Sequence, residues 1–295
     1  MTKRPLGRTG IDVTPIGLGC WQFAQGANFV GRVWETLSEA TIRGVVEAAL
    51  RAGVNWFDTA EAYGNGRSER KLSEALGSLD VKPGTVVIAT KWQPFLRTAS
   101  SIGATMDRRA ECLGPYPVDL HQVHNPASFS PIPAQMQAAH DALAAEGIVL
   151  ASNQVRYNLL DRRIEASGVL ETAKRLGVTI IAWSPLAQGL LTGRFHEDPG
   201  AMRRVSGIRR MMNRLGPRTL ERTRPLVDEL RAVARAHGAA VAQVALAWQT
   251  SFHGDTIVAI PGASRPAQAE QAAAAAELRL TDRELSRIDE LSRPR

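Results

Sequence analysis

The sequence predicts an α/β fold in which parallel strands alternate with helices. Short apolar runs rich in β-branched residues are separated by amphipathic segments, and the repeat is roughly 30 residues long, as strand–helix units require. Eight such units close into a (β/α)8 barrel of the TIM type, whose chemistry lies at the carboxyl ends of the strands. The alternative, an open doubly wound sheet, needs a Gly-rich turn that opens a helix, and no helical pattern follows "GLGC" at 17–20. We therefore expect one barrel domain over residues 1–295.

The individual elements follow from short-range patterns. Seven apolar runs bounded by turn residues are predicted as strands: 15–21, 55–60, 85–92, 118–124, 148–155, 178–185 and 256–262. Amphipathic segments between them are predicted as helices: 38–53, 68–79, 101–114, 132–147 and 170–177. Serines at the starts and glycines at the ends of these segments are typical of helix caps. Seven strands leave the expected barrel one βα unit short.

The composition limits the classes of function. No run of about 18 apolar residues predicts a membrane span, and the N-terminal stretch lacks the apolar region of a secretory signal. Cys20 and Cys112 lack the spacing of a disulfide framework or a metal site, so a reducing cytoplasm is the expected location. The net charge of +7 owes much to eight arginines in 202–224. That segment predicts a solvated loop or a basic lip near a phosphorylated ligand, and less so a nucleic-acid surface, because no aromatic residues interleave.

Ionisable side chains stand where three successive predicted strands end. Asp58 lies near the end of the run 55–60, Lys91 near the end of 85–92 and His124 at the end of 118–124. Tyr63 lies on the loop that follows Asp58. Because barrel strands end at one mouth, we expect the four side chains to converge there. Taken singly, they could be a turn cap, a surface lysine, a core histidine and a turn aromatic, but their joint placement favours a catalytic site.

The four groups together suit the polarisation and protonation of a carbonyl. A phenol with its ordinary pKa of about 10 is a poor acid near neutrality, and an adjacent ammonium lowers that pKa. We expect Lys91 to lower the pKa of Tyr63, Asp58 to hold Lys91 in place, and the phenol to donate the proton. His124 is expected to donate a hydrogen bond that orients the carbonyl oxygen. These groups supply no electrons, so a hydride donor is required.

The chain resembles the aldo-keto reductases through motifs spread from Arg4 to Leu291. They are "DTAEAYGNGRSE", "IATKW", "DLHQVHNP", "SPLAQGLLTGRF" and "IPGASRPAQ". The branch that it resembles is that of bacterial NADPH-dependent oxidoreductases akin to the potassium-channel β-subunits. The resemblance implies an eight-stranded barrel that uses NADPH to reduce aldehydes and ketones. It also implies that the family's catalytic tetrad is formed here by Asp58, Tyr63, Lys91 and His124.

The resemblance further implies which residues contact the cofactor. Trp183 corresponds to the aromatic residue that stacks on the nicotinamide, and Gln154 to the glutamine near its carboxamide. The other implied contacts are Gly19, Cys20, Trp21 and Asp58; Ser184, Pro185, Leu186, Gln188, Gly189 and Arg194 along the diphosphate; Gly262, Ser264, Arg265 and Gln268 around the adenosine 2′-phosphate; and Gln271 at the adenine amine. A turn with a Ser and an Arg suits a phosphate monoester, which favours NADPH over NADH. Taken alone, "PGASRP" favours an ordinary strand-to-helix turn with a capping serine over a phosphate site.

The chain departs from the family pattern after His124. Only one helical segment separates it from Gln154, so the last turn of the fourth helix and the whole fifth strand are expected to be missing, roughly 30 residues. Ser152 and Asn153 are candidate substitutes for the family's Ser-Asn pair, which fixes the nicotinamide face. Ala272 stands where the family has an Asn at the adenine, which predicts slightly weaker cofactor binding.

The predicted function is NADPH-dependent reduction of a small-molecule aldehyde or ketone, with neither a nucleic acid nor a membrane as partner. An incomplete barrel leaves two alternatives: a cofactor-binding regulatory or interaction module with little or no turnover, and a deletion copy without a stable fold. Trp21, Phe23, Trp92 and Phe95 are candidate apolar walls for the substrate, or else core residues. The sequence leaves the identity of the carbonyl compound and the oligomeric state open.

Overall fold

A computed structural model describes residues 1–24, 35–125, 130–203 and 215–293, together with 205, 207 and 210. The chain divides into two compact units. Unit 1 comprises residues 1–16, 132–261 and 274–295, and unit 2 comprises residues 17–131 and 262–273. The prediction of a single domain over the whole chain stays a prediction.

Nine strands form in the described part of the chain. In order they are β1 Arg4–Pro5, β2 Asp12–Val13, β3 Leu18–Gly19, β4 Trp56–Asp58, β5 Val87–Trp92, β6 Leu120–Val123, β7 Ser152–Arg156, β8 Thr179–Trp183 and β9 Ile257–Ala259. Strands β3 to β9 are the seven predicted from the sequence. The first two form an antiparallel pair that the sequence analysis missed.

Twelve α-helices form in the described residues, and five of them match predicted helical segments. They are α1 Glu39–Arg51, α2 Arg67–Ser78, α3 Ser101–Leu113, α4 Ile132–Ala145, α5 Arg163–Ala166, α6 Val169–Leu176, α7 Arg194–Glu197, α8 Pro199–Arg203, α9 Pro217–Ala236, α10 Val241–Ser251, α11 Pro266–Ala274 and α12 Asp282–Ser292. The five predicted helical segments correspond to α1–α4 and α6. Among the residues described, no helix combines the length and the apolar character needed to cross a bilayer.

Unit 2 is built on a four-stranded parallel sheet in the order β3-β4-β5-β6. Trp56, Phe57 and Ile88 are fully buried in its core. The Ser38 side chain accepts a hydrogen bond from the backbone N–H of Thr41 at 3.1 Å and so begins α1 as a capping residue. Because the strands are parallel, their carboxyl ends lie at one edge of the sheet, and the predicted tetrad is found there.

Unit 1 contains a three-stranded parallel sheet in the order β7-β8-β9. Ile180, Ile181 and Ile257 are fully buried within it. The register places Gln154 beside Ile181 and Arg156 beside Trp183. Trp183 therefore stands at the carboxyl end of the central strand of this sheet.

A polar cluster joins α5 to α12 within unit 1. Glu165 accepts a hydrogen bond from the Tyr157 hydroxyl at 2.6 Å and one from Arg162 at 2.6 Å, and it lies 3.1 Å from His253 Nε2. Burial by itself raises the pKa of Glu165, but these donors outweigh it and lower the pKa to about 2. Arg162 also reaches the Asp289 carboxylate at 2.7 Å, so one guanidinium ties both helices together.

The composition drew attention to two features, the two cysteines and the Arg-rich segment 202–224. Cys20 and Cys112 are both buried and form no disulfide in the described structure. The Arg-rich segment 202–224 lies partly outside the described residues, namely at 204, 206, 208–209 and 211–214. Its last part belongs to α9, and its predicted role as a solvated loop or basic lip stays a prediction.

Candidate active site

A buried ion pair lies where β4 and β5 end. Lys91 Nζ donates to Asp58 Oδ1 at 2.5 Å and to the Thr59 carbonyl at 2.7 Å. Lys91 and Asp58 are only 2% and 1% exposed. Burial by itself lowers the pKa of Lys91, but the Asp58 carboxylate and Tyr63 outweigh it and raise that pKa above its ordinary value. Lys91 is therefore a charged ammonium across the neutral pH range.

Tyr63 lies on the loop between β4 and α2, with its ring against this ammonium. Lys91 Nζ is 5.0 Å from the centroid of the Tyr63 ring. The Trp21 indole stacks on Tyr63 with centroids 5.9 Å apart, and the His124 imidazole meets it edge-on at 5.6 Å. The structure thus brings all four residues of the predicted tetrad together in unit 2.

The pKa of Tyr63 is raised, whereas the sequence analysis expected it to be lowered. Burial is the largest influence and raises the pKa, while the Lys91 ammonium lowers it by less. The expectation was wrong because it counted the neighbouring charge and omitted the cost of forming a phenolate in a buried place. The phenol is therefore protonated near neutrality, which is the state that a proton donor needs.

His124 follows β6, and its imidazole is neutral at pH 7. Its backbone N–H donates to the Trp92 carbonyl at 2.8 Å, which continues the pairing of β6 with β5 past the last strand residue. Burial, followed by the Lys91 ammonium, lowers the pKa of His124 to about 4. A neutral imidazole carries one N–H, so it can orient a carbonyl oxygen by hydrogen bonding without being an acid.

Gln122 is a polar contact of the tetrad that the sequence analysis missed. Its Nε2 donates to Asp58 Oδ2 at 3.1 Å. Gln122 precedes His124 by two residues, and side chains two apart on a strand lie on the same face. This alternation was available in the sequence and could have placed Gln122 beside the tetrad.

The loop that carries Tyr63 is held by a second set of polar residues that the sequence analysis missed. Glu61 accepts hydrogen bonds from the guanidinium groups of Arg97 and Arg109, both at 2.5 Å. Arg109, on α3, is 2% exposed and lies 3.1 Å from the fully buried Glu69 carboxylate. Because Glu61 and Glu69 stand on either side of Tyr63 in the chain and both face Arg109, the loop is anchored at both ends.

The four candidate apolar walls separate into different environments. Phe23 is fully buried and Trp92 is 5% exposed, so both are core residues. Trp21 lies on the Tyr63 ring as described, and Phe95 is 73% exposed on the segment that follows β5. Among these four, Trp21 is the one whose ring is described in contact with a tetrad side chain, that of Tyr63.

The first group of implied cofactor residues lies on β3 and just after it, in unit 2. Gly19 pairs with Asp58 in the sheet and also bridges Gly262. The backbone N–H of Cys20 donates to the Asp58 carbonyl at 2.8 Å. Trp21 begins a short 3-10 helix over Trp21–Ala24. The start of the adenosine motif at Gly262 is therefore joined by hydrogen bonding to the strand beside the tetrad.

The rest of the adenosine motif forms the turn into α11. The Ser264 backbone N–H and hydroxyl both donate to Gln268 Oε1, at 2.9 and 3.2 Å. These bonds close the turn, which is the ordinary structural role of such a motif. Arg265, just before the helix, and Gln271 within it are exposed, and Ala272 is buried.

The remaining implied residues lie in unit 1. Trp183 ends β8, and the guanidinium of Arg156 lies 5.7 Å from its ring centroid. Gln154 shares its face of β7 with Ser152 and Arg156, whereas Asn153 points to the opposite face. The substitution of the family's Ser-Asn pair by Ser152 and Asn153 stays a prediction. The other members, Ser184, Pro185, Leu186, Gln188, Gly189 and Arg194, occupy the turns that follow β8 and the start of α7.

Side-chain hydrogen bonds hold the backbone turns that follow β8. Ser184, Gln188 and Gly189 have φ of 52°, 57° and 101°. The Ser184 carbonyl accepts a hydrogen bond from Asn158 Nδ2 at 3.0 Å, and its hydroxyl accepts one from Gln188 Nε2 at 3.2 Å. Non-glycine residues adopt positive φ uncommonly, so these contacts hold a backbone conformation that costs energy.

Comparison with known proteins places these residues in a family. The model of the Aldo/keto reductase family matches residues 15–151 and 127–293. An uncharacterized oxidoreductase of Mycobacterium tuberculosis is 35% identical over 297 aligned positions, which cover 92% of this chain and 86% of that protein. The NADH-specific methylglyoxal reductase of Escherichia coli is 26% identical, with 99% of this chain and 98% of that protein covered.

The likeness extends to solved structures. An aldo-keto reductase from Klebsiella pneumoniae in complex with NADPH has a TM-score of 0.68 at 24% identity, with 100% of this chain and 97% of that one covered. A thermostable aldo-keto reductase in complex with the inhibitor epalrestat has a TM-score of 0.69, also at 24% identity. These likenesses establish a fold of the (β/α)8 TIM-barrel type, as predicted. Since the family model matches most of the sequence, the chain belongs to the aldo/keto reductase family.

Proposed function

We propose that the chain is an NADPH-dependent oxidoreductase that reduces aldehyde or ketone carbonyls, with Tyr63 as the proton donor. The observation that carries the proposal is the buried Asp58–Lys91 ion pair against the Tyr63 ring, with His124 at the ring's edge. An acid, a fixed positive charge and a neutral hydrogen-bond donor in one place suit the reduction of a polar C=O bond.

In the proposed reaction the carbonyl oxygen lies between the Tyr63 hydroxyl and the His124 imidazole. His124 orients the oxygen by donating its N–H. As negative charge develops on that oxygen, Tyr63 transfers its proton, and the Lys91 ammonium stabilises the phenolate that remains. Because burial raises the pKa of Tyr63, the phenolate is costly, and the Lys91 charge matters most at the moment of transfer.

The proposed hydride source is NADPH, whose nicotinamide supplies the two electrons that these side chains lack. The residues present suit such a group. Arg265 is exposed immediately before α11, beside Ser264, and a helix N-terminus favours an anion such as a phosphate. Trp183 offers a half-buried aromatic ring at the end of β8. One relative is named as NADH-specific, so the affinities for NADPH and NADH have to be compared directly. We propose that Arg265 supplies the preference for NADPH.

The first test is the Tyr63→Phe variant. We expect kcat to fall by roughly a hundredfold or more, as the loss of a general acid predicts, with little change in cofactor affinity. Tyr116→Phe is the matched control, because Tyr116 is also buried in unit 2 and its hydroxyl donates to the Val81 carbonyl at 2.8 Å, away from the tetrad. Equal turnover in Tyr63→Phe and the parent would remove the assignment.

A second test separates reductase from binding module. Fluorescence titration with NADPH and with NADH measures binding, and oxidation of each cofactor with a panel of aldehydes and ketones measures turnover. Tight binding without carbonyl-dependent oxidation would favour the module. Arg265→Ala is expected to weaken NADPH binding more than NADH binding. Equal losses of affinity for both cofactors would show that Arg265 does not contact the 2′-phosphate.

A further inference from the structure

We propose that Gln122 is a positioning residue that holds the Asp58 carboxylate in the orientation that keeps Lys91 charged. This inference rests on the proposed function, because it assigns Gln122 to the same proton-transfer site. It goes beyond the tetrad, since Gln122 acts through Asp58 and not on the substrate.

The sheet places Gln122 where this role requires it. In the parallel pairing of β5 with β6, Lys91 lies directly beside Gln122. Paired residues in a sheet project to the same face, so both side chains reach toward Asp58 on β4. The Asp58 carboxylate then has a donor on each oxygen: Lys91 Nζ on Oδ1 at 2.5 Å and Gln122 Nε2 on Oδ2 at 3.1 Å.

The second donor matters because the Asp58–Lys91 ion pair is buried away from solvent. A charge removed from water is stable only when its partner is well placed and its remaining lone pairs are satisfied. Without the Gln122 donor, Asp58 loses the hydrogen bond on Oδ2 that helps to fix its side-chain torsions relative to Lys91. A carboxylate that faces the ammonium less closely raises the pKa of Lys91 less against the lowering by burial. A neutral Lys91 would no longer stabilise a phenolate at Tyr63.

Among the described residues, the charged and titratable groups that act on this site are Lys91, Tyr63, His124, Cys20 and, through its effect on His124, Glu61. Lys91 and Tyr63 lie on its two sides, His124 carries a depressed pKa beside Lys91, and Cys20 lies buried next to Asp58. Gln122 is the neutral member of the set. An amide directs its N–H₂ toward a carboxylate at every pH, so it fixes Asp58 without adding a charge that would compete with Lys91.

The test uses Gln122→Met, which keeps the length of the side chain and removes the donor. Gln137→Met is the matched control, because Gln137 lies on α4 in unit 1 and donates to Asp141 at 2.8 Å. We expect Gln122→Met to lower kcat roughly ten- to a hundredfold, the range of a hydrogen bond to a charged group, with little change in the Kd of NADPH. The basic limb of its pH profile is expected to move to lower pH, because Lys91 loses its proton more easily.

Gln122→Glu supplies an internal rescue. At acidic pH its carboxyl group is protonated and can donate to Asp58 Oδ2 as the amide does. At higher pH it is ionised and repels Asp58. We therefore expect turnover of this variant to be nearest the parent's at low pH and to fall as pH rises. A variant that is merely misfolded would not recover at one end of the pH range.

A readout that needs no turnover completes the test. In protein labelled with ¹⁵N-lysine, the Lys91 side-chain signal, identified by its loss in Lys91→Arg, reports the pH at which this amine loses its proton. We expect that pH to be lower in Gln122→Met than in the parent and unchanged in Gln137→Met. An unchanged Lys91 titration overturns the role of Gln122, whether or not the protein turns over. A different outcome is a parent that reduces no carbonyl, while Lys91 still loses its proton at a lower pH in Gln122→Met than in the parent. That result keeps the positioning role and rejects the proposed function.

Discussion

Replacing His124 by Gln tests the electrostatics of the site through stability. The imidazole has a pKa of about 4 in the folded protein, lowered by burial and by the Lys91 ammonium, against an ordinary value of about 6.5. The unfolded chain therefore binds this proton more readily than the folded one. Stability is unaffected above the ordinary pKa and is lost as pH falls below it, which is the sign expected for a depressed histidine pKa.

The size of the loss follows from these two pKa values. At pH 5 nearly all of the unfolded histidine is protonated and only about a tenth of the folded one, so protonation favours the unfolded chain by about 2 kcal/mol relative to pH 7.5. Gln keeps a hydrogen-bond donor at this position and does not titrate. We expect His124→Gln to lose about 2 kcal/mol less stability than the parent between these two pH values.

Chemical unfolding at pH 7.5 and at pH 5 measures the difference. His140→Gln is the matched control, because His140 lies on α4 in unit 1, where its only described bond is to the neighbouring Asp141. We expect this control to follow the parent. The reasoning is refuted if the parent and His124→Gln lose the same free energy of unfolding on acidification. Such a result would mean that the pKa of His124 is not lowered in the folded protein.

Two further predictions concern stability elsewhere. Glu165→Gln should lower the free energy of unfolding at pH 7 by up to roughly 3 kcal/mol, because the depressed Glu165 pKa contributes stability above its ordinary value of about 4.5. That difference should shrink as pH falls toward 2, whereas the exposed Glu171→Gln should change little, and a pH-independent gap would contradict the explanation. Gly17→Ala should destabilise by about 2 kcal/mol or more, because an added Cβ would overlap the buried Trp56 ring. Gly103→Ala, in the open part of α3, should be neutral or slightly stabilising in the same thermal melts.

The elements of the barrel could be predicted because each rests on short-range chemistry. Apolar β-branched runs predicted strands β3 to β9, and the strand ends predicted the convergence of Asp58, Lys91 and His124. The pair β1–β2 was missed because Arg4–Pro5 and Asp12–Val13 lie in a largely polar stretch without an apolar run. Ser68 was expected as a helix cap, but its hydroxyl donates to the Cys20 carbonyl at 2.7 Å and α2 begins after Gly66 instead. A tertiary contact thus outweighed the local preference.

Other features depend on contacts that the sequence alone does not show. The raised pKa of Tyr63 follows from burial, and the roles of Glu61 and Arg109 follow from the approach of α3 to the Tyr63 loop. The missing βα unit stays a prediction. It is supported by the two family matches, which overlap over 127–151. The division into two units had no counterpart in the sequence pattern.

Unit 2 is formed by two segments that are distant in the sequence, which affects its folding during synthesis. The ribosome completes residues 17–131 first and supplies 262–273 only after roughly 140 further residues have been added. At 5–20 residues per second, that interval is roughly 7–28 s. During this time the nascent β3 has no Gly262 to bridge, and its outer edge is open to chaperones and to neighbouring nascent chains. The edge of the sheet at β3 is therefore completed only when residues 262–273 have been added.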